Sequence, residues 1–365
     1  MQKNPSSFIR TLTPPRGIAA LGVLALHITS TEAAISYPPF VKNLYLCVDF
    51  FFILSGFILM HAYSGQFRHS VKKNAYKKFM IARFARIYPL HLTGIALIMG
   101  MEILRIAFIR AGYMSTSGRE AFTNMYDLKY LPLQLTFMQD WTYSSALSWN
   151  GPSWSIACEW LVYMIFPFTV AFIHTSKDWM RLAAMVLIIG GYYALCMYHP
   201  EHSLDIVYGY SLLRTALGFF LGTILYCYYR DARFSILHSD TVLAGIMAFS
   251  FWSLWHGYDV LTVCLLALIV FGLSANKGIC HRICETQPAL FLGNISFAIY
   301  MVHWPVILLV AQLGRLFFHV EPKDFSPYQA YIFIVAAFSI TLILAGLAYH
   351  LIEMPTRNYL RKRFA

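Results

Sequence analysis

Residues 13–30 read TPPRGIAALGVLALHITS: a guanidinium at Arg16, ten residues without a charge, and an imidazole at His27. A run this apolar, opened by two prolines, reads as a helix, and its surroundings say what that helix is dissolved in. The chain is 58% hydrophobic, 17% aromatic and only 12% charged, where a soluble domain carries roughly 25% charged residues. One aqueous core cannot absorb that much apolar surface, so the predicted fold class is an all-α integral membrane protein.

A helix of about 20 residues crosses the hydrocarbon. Ten such segments are predicted, at about 14–34, 44–63, 87–111, 153–174, 180–198, 208–229, 240–256, 258–275, 289–313 and 327–351. They form a single membrane domain spanning residues 1–365. One polar, aromatic loop at about 112–150 interrupts it, and a basic cytoplasmic tail at 352–365, RNYLRKRFA at its end, closes it.

With a cytoplasmic N-terminus, the cytoplasmic segments hold 20 of the 28 Lys and Arg residues, from Lys3, Arg10 and Arg16 to Arg357, Arg361, Lys362 and Arg363. The positive-inside bias therefore predicts both termini in the cytoplasm and an even number of crossings. It also accounts for most of the net charge of +11, which fits contact with anionic membrane lipids rather than nucleic acid. No cleavage of the first helix is expected, because no small-x-small site ends its apolar run. The seven cysteines lie mostly within predicted helices, and Cys280 and Cys284 lack zinc-site company, so neither disulfides nor a metal is expected. The sequon at 294–296 falls in a predicted helix and reads as chance.

Ionisable residues inside a membrane are costly and call for a partner, a water cavity or a function. At 1.5 Å per residue, His27 lies about 20 Å above the cytoplasmic start of its helix. Asp49, Glu159 and His303 lie about 21 to 23 Å above the cytoplasmic ends of theirs, and Arg214 falls at a similar height. Two imidazoles and two carboxylates in one layer can hold a bundle together, or they can take a proton from a hydroxyl near neutral pH, with a carboxylate orienting the imidazole.

The spacing of the opening stretch adds a ligand. Eleven steps of about 100° fall roughly 20° from three full turns, so Arg16 and His27 share one helix face about 16 Å apart. A ligand using both has a phosphate-rich head at the cytoplasmic surface and a long thin arm, the shape of coenzyme A with a thioester at its tip. Arg83 and Arg86, three apart in RFARIYP, are neighbours at the same surface, and arginine forks suit phosphate oxygens. The plainer reading of these arginines is flanking charge.

A second polar cluster, LSWNGPSWSIACEW, opens the fourth predicted helix. Its GPSWS is not a G-x-S-x-G elbow, so a serine nucleophile is not expected. Trp149 and Trp154 suit either an interfacial belt or stacking on a sugar ring. Glu102 and Arg105, three apart, are expected to form a local ion pair.

Taken in chain order, these stretches resemble the acyltransferase-3 family of integral membrane O-acyltransferases. Arg16 and His27 match its Arg, ten residues, His signature. CVDFFFILSGF matches its G-V-D-x-F-F stretch, with Asp49 in register and Cys47 where glycine is usual. RFARIYP matches its Arg-x-x-Arg, and WSIACEW places Glu159 at its first acidic position, with Trp160 where many members have a second Glu. LLRTALGFF brings in Arg214, ISFAIYMVHWP supplies Ser296, Tyr300 and His303, and HLIEMPTRNYLRKR resembles the closing E-x-P segment.

The resemblance implies ten transmembrane helices and transfer of an acyl group, expected to be acetyl, from cytoplasmic acyl-CoA to a hydroxyl of an exported or cell-surface saccharide in the bacterial inner membrane. It makes His27 the leading base, partnered by Asp49 or Glu159, with His303 as a second acid, base or oxyanion stabiliser. Arg16, Arg83 and Arg86 are the expected acyl-CoA residues, and Arg214, Trp149 and Tyr300 the expected acceptor residues. The expected partners are the saccharide, free or lipid-linked and exemplified by exopolysaccharide or lipopolysaccharide, the membrane lipids, and glycan-export machinery. Many members carry an extra extracytoplasmic domain for a second transfer step, and none is expected here. The competing reading is a proton-coupled transporter or glycan-lipid flippase using the same charged layer, although no clear internal repeat supports it.

Overall fold

A computed structural model describes residues 9–31, 35–112, 120–141 and 147–364, the side chain of residue 361 excepted. The basic start of the chain, Lys3 included, and parts of the 112–150 loop lie outside the described residues. Those described are helical, with no strand among them. The long helices are α1 (Pro14–Thr29), α2 (Cys47–Phe67), α3 (Lys73–Arg110), α4 (Trp154–Thr175) and α5 (Asp178–Tyr198), followed by α6 (Ser211–Arg230) and α7 (Asp240–His256). After α8 (Asp259–Ala275) and α9 (Ser296–Phe318), α10 (Pro327–Ala348) continues through a π-helical turn, Tyr349–Glu353, into α11 (Met354–Phe364).

Among the described residues, seven helices are long and apolar enough to cross a membrane: those over 44–67, 73–110, 151–175, 178–198, 211–230, 296–318 and 327–364. The chain is accordingly a multi-pass membrane protein. The other three predicted spans fold as shorter helices, of 16 residues in α1 and 17 each in α7 and α8.

Three boundaries differ from the sequence expectation. The helix expected from 87 begins at Lys73, because its first turns are polar yet keep helical geometry while packing on their neighbours. The helix expected over 289–313 is split into Gln287–Asn294 and α9, with Ile295 between them. The basic tail is α11, which packs against α3.

The central pair is α2 and α6, both largely buried, whereas α3, α5 and α10 present most of their surface outward. On α5 that outer surface is apolar, with Trp179, Leu182, Val186 and Leu187 exposed, as a lipid-facing helix requires. The central crossing depends on two glycines facing opposite ways. A methyl on Gly56 would overlap the Phe219 carbonyl, and one on Gly222 would overlap the Ile53 carbonyl, so only glycine lets these backbones meet.

The flanking arginines are not free surface charge. Arg181 bonds Asp231 at 2.6 Å and Asp178 at 3.1 Å, while Arg233 reaches Asp178 at 3.2 Å, tying the ends of α5 and α6 together.

Candidate active site

A cavity of about 160 Å³ lies between α1, α2, α3, α4 and α9. Arg16, Arg83 and Arg86 line it together with Glu159 and Tyr163, and Ser155 and Tyr300 line it as well. Three arginines from two helices therefore meet one carboxylate in the same space, whereas the depth estimate set Glu159 in the histidine layer, well above Arg16. All three are half-buried.

Each arginine is held differently. Arg83 donates from Nη2 to the Tyr63 hydroxyl at 3.3 Å and lies 5.5 Å above that ring, while its buried Nε has no partner among the described residues. Arg86 is paired with Glu353, which is fully buried in the π-helical turn, and Arg357 lies 3.8 Å from the same Glu353 oxygen. The E-x-P segment thus supplies the counter-charge for an Arg-x-x-Arg more than 260 residues earlier.

Glu159 shares hydrogen bonds with Ser55 and Tyr163, whose hydroxyls are 3.0 Å apart, and feels the charges of Arg83 and Arg16. Ser155, Glu159 and Tyr163 are spaced four apart and so share one face of α4. That spacing was a readable signal for Tyr163 and Ser155, which sequence reasoning passed over.

The histidine layer is resolved into pairs. His303 Nε2 is 3.3 Å from His27 Nδ1, and the ring centroids are 5.0 Å apart. His27 Nδ1 also lies 2.9 Å from the Val23 carbonyl, and His303 Nδ1 lies 2.7 Å from the Tyr300 carbonyl. A carbonyl oxygen can only accept, so in the neutral rings both Nδ1 atoms carry the hydrogen. His303 Nε2 then accepts from His27, and His27 Nε2 keeps an unshared lone pair. The histidine, not either expected carboxylate, is the group against the His27 ring.

Asp49 is engaged elsewhere. Its carboxylate bonds Arg214 Nη2 at 2.5 Å and Nε at 3.1 and 3.2 Å, with both side chains fully buried, and it accepts from the Tyr192 hydroxyl at 3.2 Å. Arg214 completes its donors on the carbonyls of Tyr45 at 3.1 Å and Ile206 at 3.3 Å. This pair joins α2 to α6 next to their glycine crossing.

Tyr300 bridges cavity and histidines. Its ring lines the cavity, its hydroxyl bonds Ser155 at 2.7 Å and donates to the Pro152 carbonyl at 2.9 Å, and its carbonyl holds His303. Trp149, by contrast, is fully buried under Phe122 and Tyr126, and its Nε1 donates to the Asp127 carbonyl at 3.2 Å. Its indole packs the loop rather than facing the cavity. Glu102 accepts the Phe122 N–H at 2.9 Å and so anchors that loop to α3.

The loop carries one buried acid that sequence reasoning missed. Asp140 accepts from the Ser211 hydroxyl and, at 3.0 Å, from the Cys158 thiol, and burial pushes its carboxyl up to about 6.

Curated relatives align with nearly the whole chain at low identity. MdmB of Streptomyces mycarofaciens, named an acyltransferase, is 25% identical over 97% of this chain and 92% of its own. OatA of Listeria monocytogenes, named a peptidoglycan O-acetyltransferase, is 22% identical over 96% of this chain and 56% of its own. YrhL of Bacillus subtilis is 24% identical over 96% of this chain and 55% of its own. The chain thus spans about half the length of OatA and YrhL and nearly all of MdmB. No solved structure matches it. The family profile described as an acyltransferase domain matches residues 16–350, from the first arginine of the cavity to the turn that carries Glu353, so this chain belongs to the acyltransferase-3 family.

Proposed function

We propose that the protein moves an acetyl group from cytoplasmic acetyl-CoA to a hydroxyl of a cell-surface polysaccharide. The observation that carries this reading is a chain of groups leading out of the cavity: three arginines and Tyr300 line it, and the Tyr300 carbonyl holds His303, whose ring meets His27 beyond the lining. The residues fit the donor. A cavity of about 160 Å³ admits a narrow arm but not a nucleotide, which stays with the arginines, and the unpartnered Arg83 Nε is a donor suited to a phosphate oxygen.

In the transfer, His27 Nε2 takes the proton of the acceptor hydroxyl, whose oxygen attacks the thioester carbonyl. The carbon–oxygen ester bond forms, the carbon–sulfur bond breaks, and the departing thiolate takes the proton from the imidazolium. Throughout, His27 Nδ1–H stays directed at the Val23 carbonyl and His303 Nε2, which stabilises the charged ring. Buried Asp49 and Arg214 hold the helices in register.

The same reading places the protein in the bacterial inner membrane with ten crossings and both termini in the cytoplasm. The three helices of 16 or 17 residues measure about 24 to 26 Å, near the roughly 30 Å hydrocarbon thickness. The acceptor class includes peptidoglycan, for which one relative is named, beside exopolysaccharide and lipopolysaccharide, free or lipid-linked and delivered by export machinery.

The test is reconstitution in detergent or liposomes with radiolabelled acetyl-CoA and glycan from a deletion strain. The expected result is a glycan ester and free CoA thiol in equal amounts, absent with His27→Ala. Proton-coupled transport without CoA binding would replace this reading with the transporter.

A further inference from the structure

Two buried polar atoms on and against α9 have no partner among the described residues. Trp304 follows His303 on α9 and meets the His27 ring at a steep angle, with centroids 5.6 Å apart, yet its buried Nε1–H makes no hydrogen bond. Asn150 is fully buried; its Nδ2 donates to the Met301 carbonyl at 3.0 Å, and its Oδ1 accepts nothing. Because a carbonyl only accepts, that contact fixes which end of the amide is which.

The two orphans are neighbours. Met301 and Trp304, three apart, share one face of α9, so Asn150 reaches the face that carries the indole. A methyl placed on Gly151, the next residue, would lie 4.0 Å from Trp304 Cε2, the atom bonded to Nε1. On the other side the α3 backbone presses close at Gly94, where a Cβ would come within 2.6 Å of Asn150 Nδ2, so the amide is held in place.

A buried donor and a buried acceptor left unpaired are costly and rare in folded proteins. Here the indole stands against the proposed base and the amide against the same helix that carries the indole, and together they complement one kind of group, the hydroxyls of a sugar ring. We infer that Trp304 Nε1 and Asn150 Oδ1 bind the acceptor, an inference that rests on the acyl transfer proposed above. Trp304 N–H donates to the oxygen whose proton goes to His27, and strengthens as that oxygen gains charge; Asn150 Oδ1 accepts from a neighbouring hydroxyl of the same ring. A site built this way also disfavours an acceptor lacking the second hydroxyl, because Asn150 would stay unpaired.

The experiment compares wild type, Trp304→Phe and Asn150→Ala in acetyl transfer to the deletion-strain glycan, with acetyl-CoA binding measured on each purified protein as a check of fold. Trp304→Phe keeps the ring and loses only the N–H. The expected result is a rise of about tenfold in the glycan KM or an equal fall in kcat/KM for glycan, with acetyl-CoA affinity unchanged. Wild-type glycan kinetics in both variants, at unchanged acetyl-CoA affinity, overturns the inference while leaving acyl transfer intact. A wild-type protein that transfers nothing overturns the transfer itself; the inference is then judged by isothermal titration with the same glycan, where weaker binding to both variants supports it and equal binding to all three overturns it.

Discussion

His303 Nε2 stands 3.3 Å from His27 Nδ1, and the carbonyls of Val23 and Tyr300 fix the hydrogen on Nδ1 of each ring. An imidazole therefore does what a carboxylate commonly does beside a catalytic histidine: it holds the tautomer and accepts from Nδ1–H. Having no formal charge, His303 stabilises an imidazolium less than a carboxylate would. Replacing His27 with Ala is expected to lower kcat by about 100- to 10,000-fold. His303→Ala is expected to lower kcat by about 100-fold while the acetyl-CoA KM stays within a factor of two. Steady-state kinetics on the purified variants checks both, and a His303→Ala enzyme with wild-type kcat would remove His303 from the mechanism.

The arginines can be separated from the chemistry by shortening the donor. Arg16→Ala and Arg83→Ala are expected to raise the acetyl-CoA KM by about 10- to 100-fold, the worth of a charge-assisted hydrogen bond. Acetyl-pantetheine, which lacks the nucleotide phosphates, should show no such rise with either variant. Equal losses on both donors would mean that these residues shape the cavity rather than bind phosphate.

Asp49 and Arg214 form an ion pair with both side chains fully buried. Removing one partner strands the other charge in the bundle, at a cost of about 3 to 5 kcal/mol, whereas replacing both with apolar residues of similar volume is far milder. Thermal unfolding in detergent should therefore rank Asp49→Leu and Arg214→Met well below the double variant. An Asp49→Asn protein that unfolds like wild type but transfers nothing would instead give Asp49 a direct part in catalysis.

Asp140 makes stability depend on pH. Burial raises its carboxyl to about 6 from an ordinary value of 3.8, so folding favours the protonated form. Its contribution is complete below about pH 4 and is lost as pH rises through 6. Between pH 5 and 8 the wild-type unfolding midpoint should fall, and Asp140→Asn, which cannot ionise, should show a flatter profile. Parallel profiles for the two proteins would assign the pH dependence to another group.

Much of this fold was legible in the sequence because membrane helices announce themselves by length and apolarity alone. Each long helix falls on a predicted span, and residue counting set His27 with His303 and Asp49 with Arg214, pairs that do touch, since rise along an axis is fixed by helix geometry. The Arg16–His27 spacing likewise named a face with an arginine that does line the cavity.

What counting cannot supply is the rotation of each helix about its axis. That is set by side-chain packing between segments hundreds of residues apart: by Gly56 and Gly222 letting α2 and α6 meet, and by Glu353 drawing α3 toward the C-terminal turn. Rotation sorted the charged layer, turning Asp49 onto Arg214, Glu159 onto Ser55 and Tyr163, and His303 onto His27. The same packing buried Trp149 and left Trp304 and Asn150 with orphaned polar atoms, because a buried group finds or lacks its partner only when the neighbouring helices arrive. The sequence by itself determined which helices carry ionisable groups; the tertiary structure decided which of those groups touch.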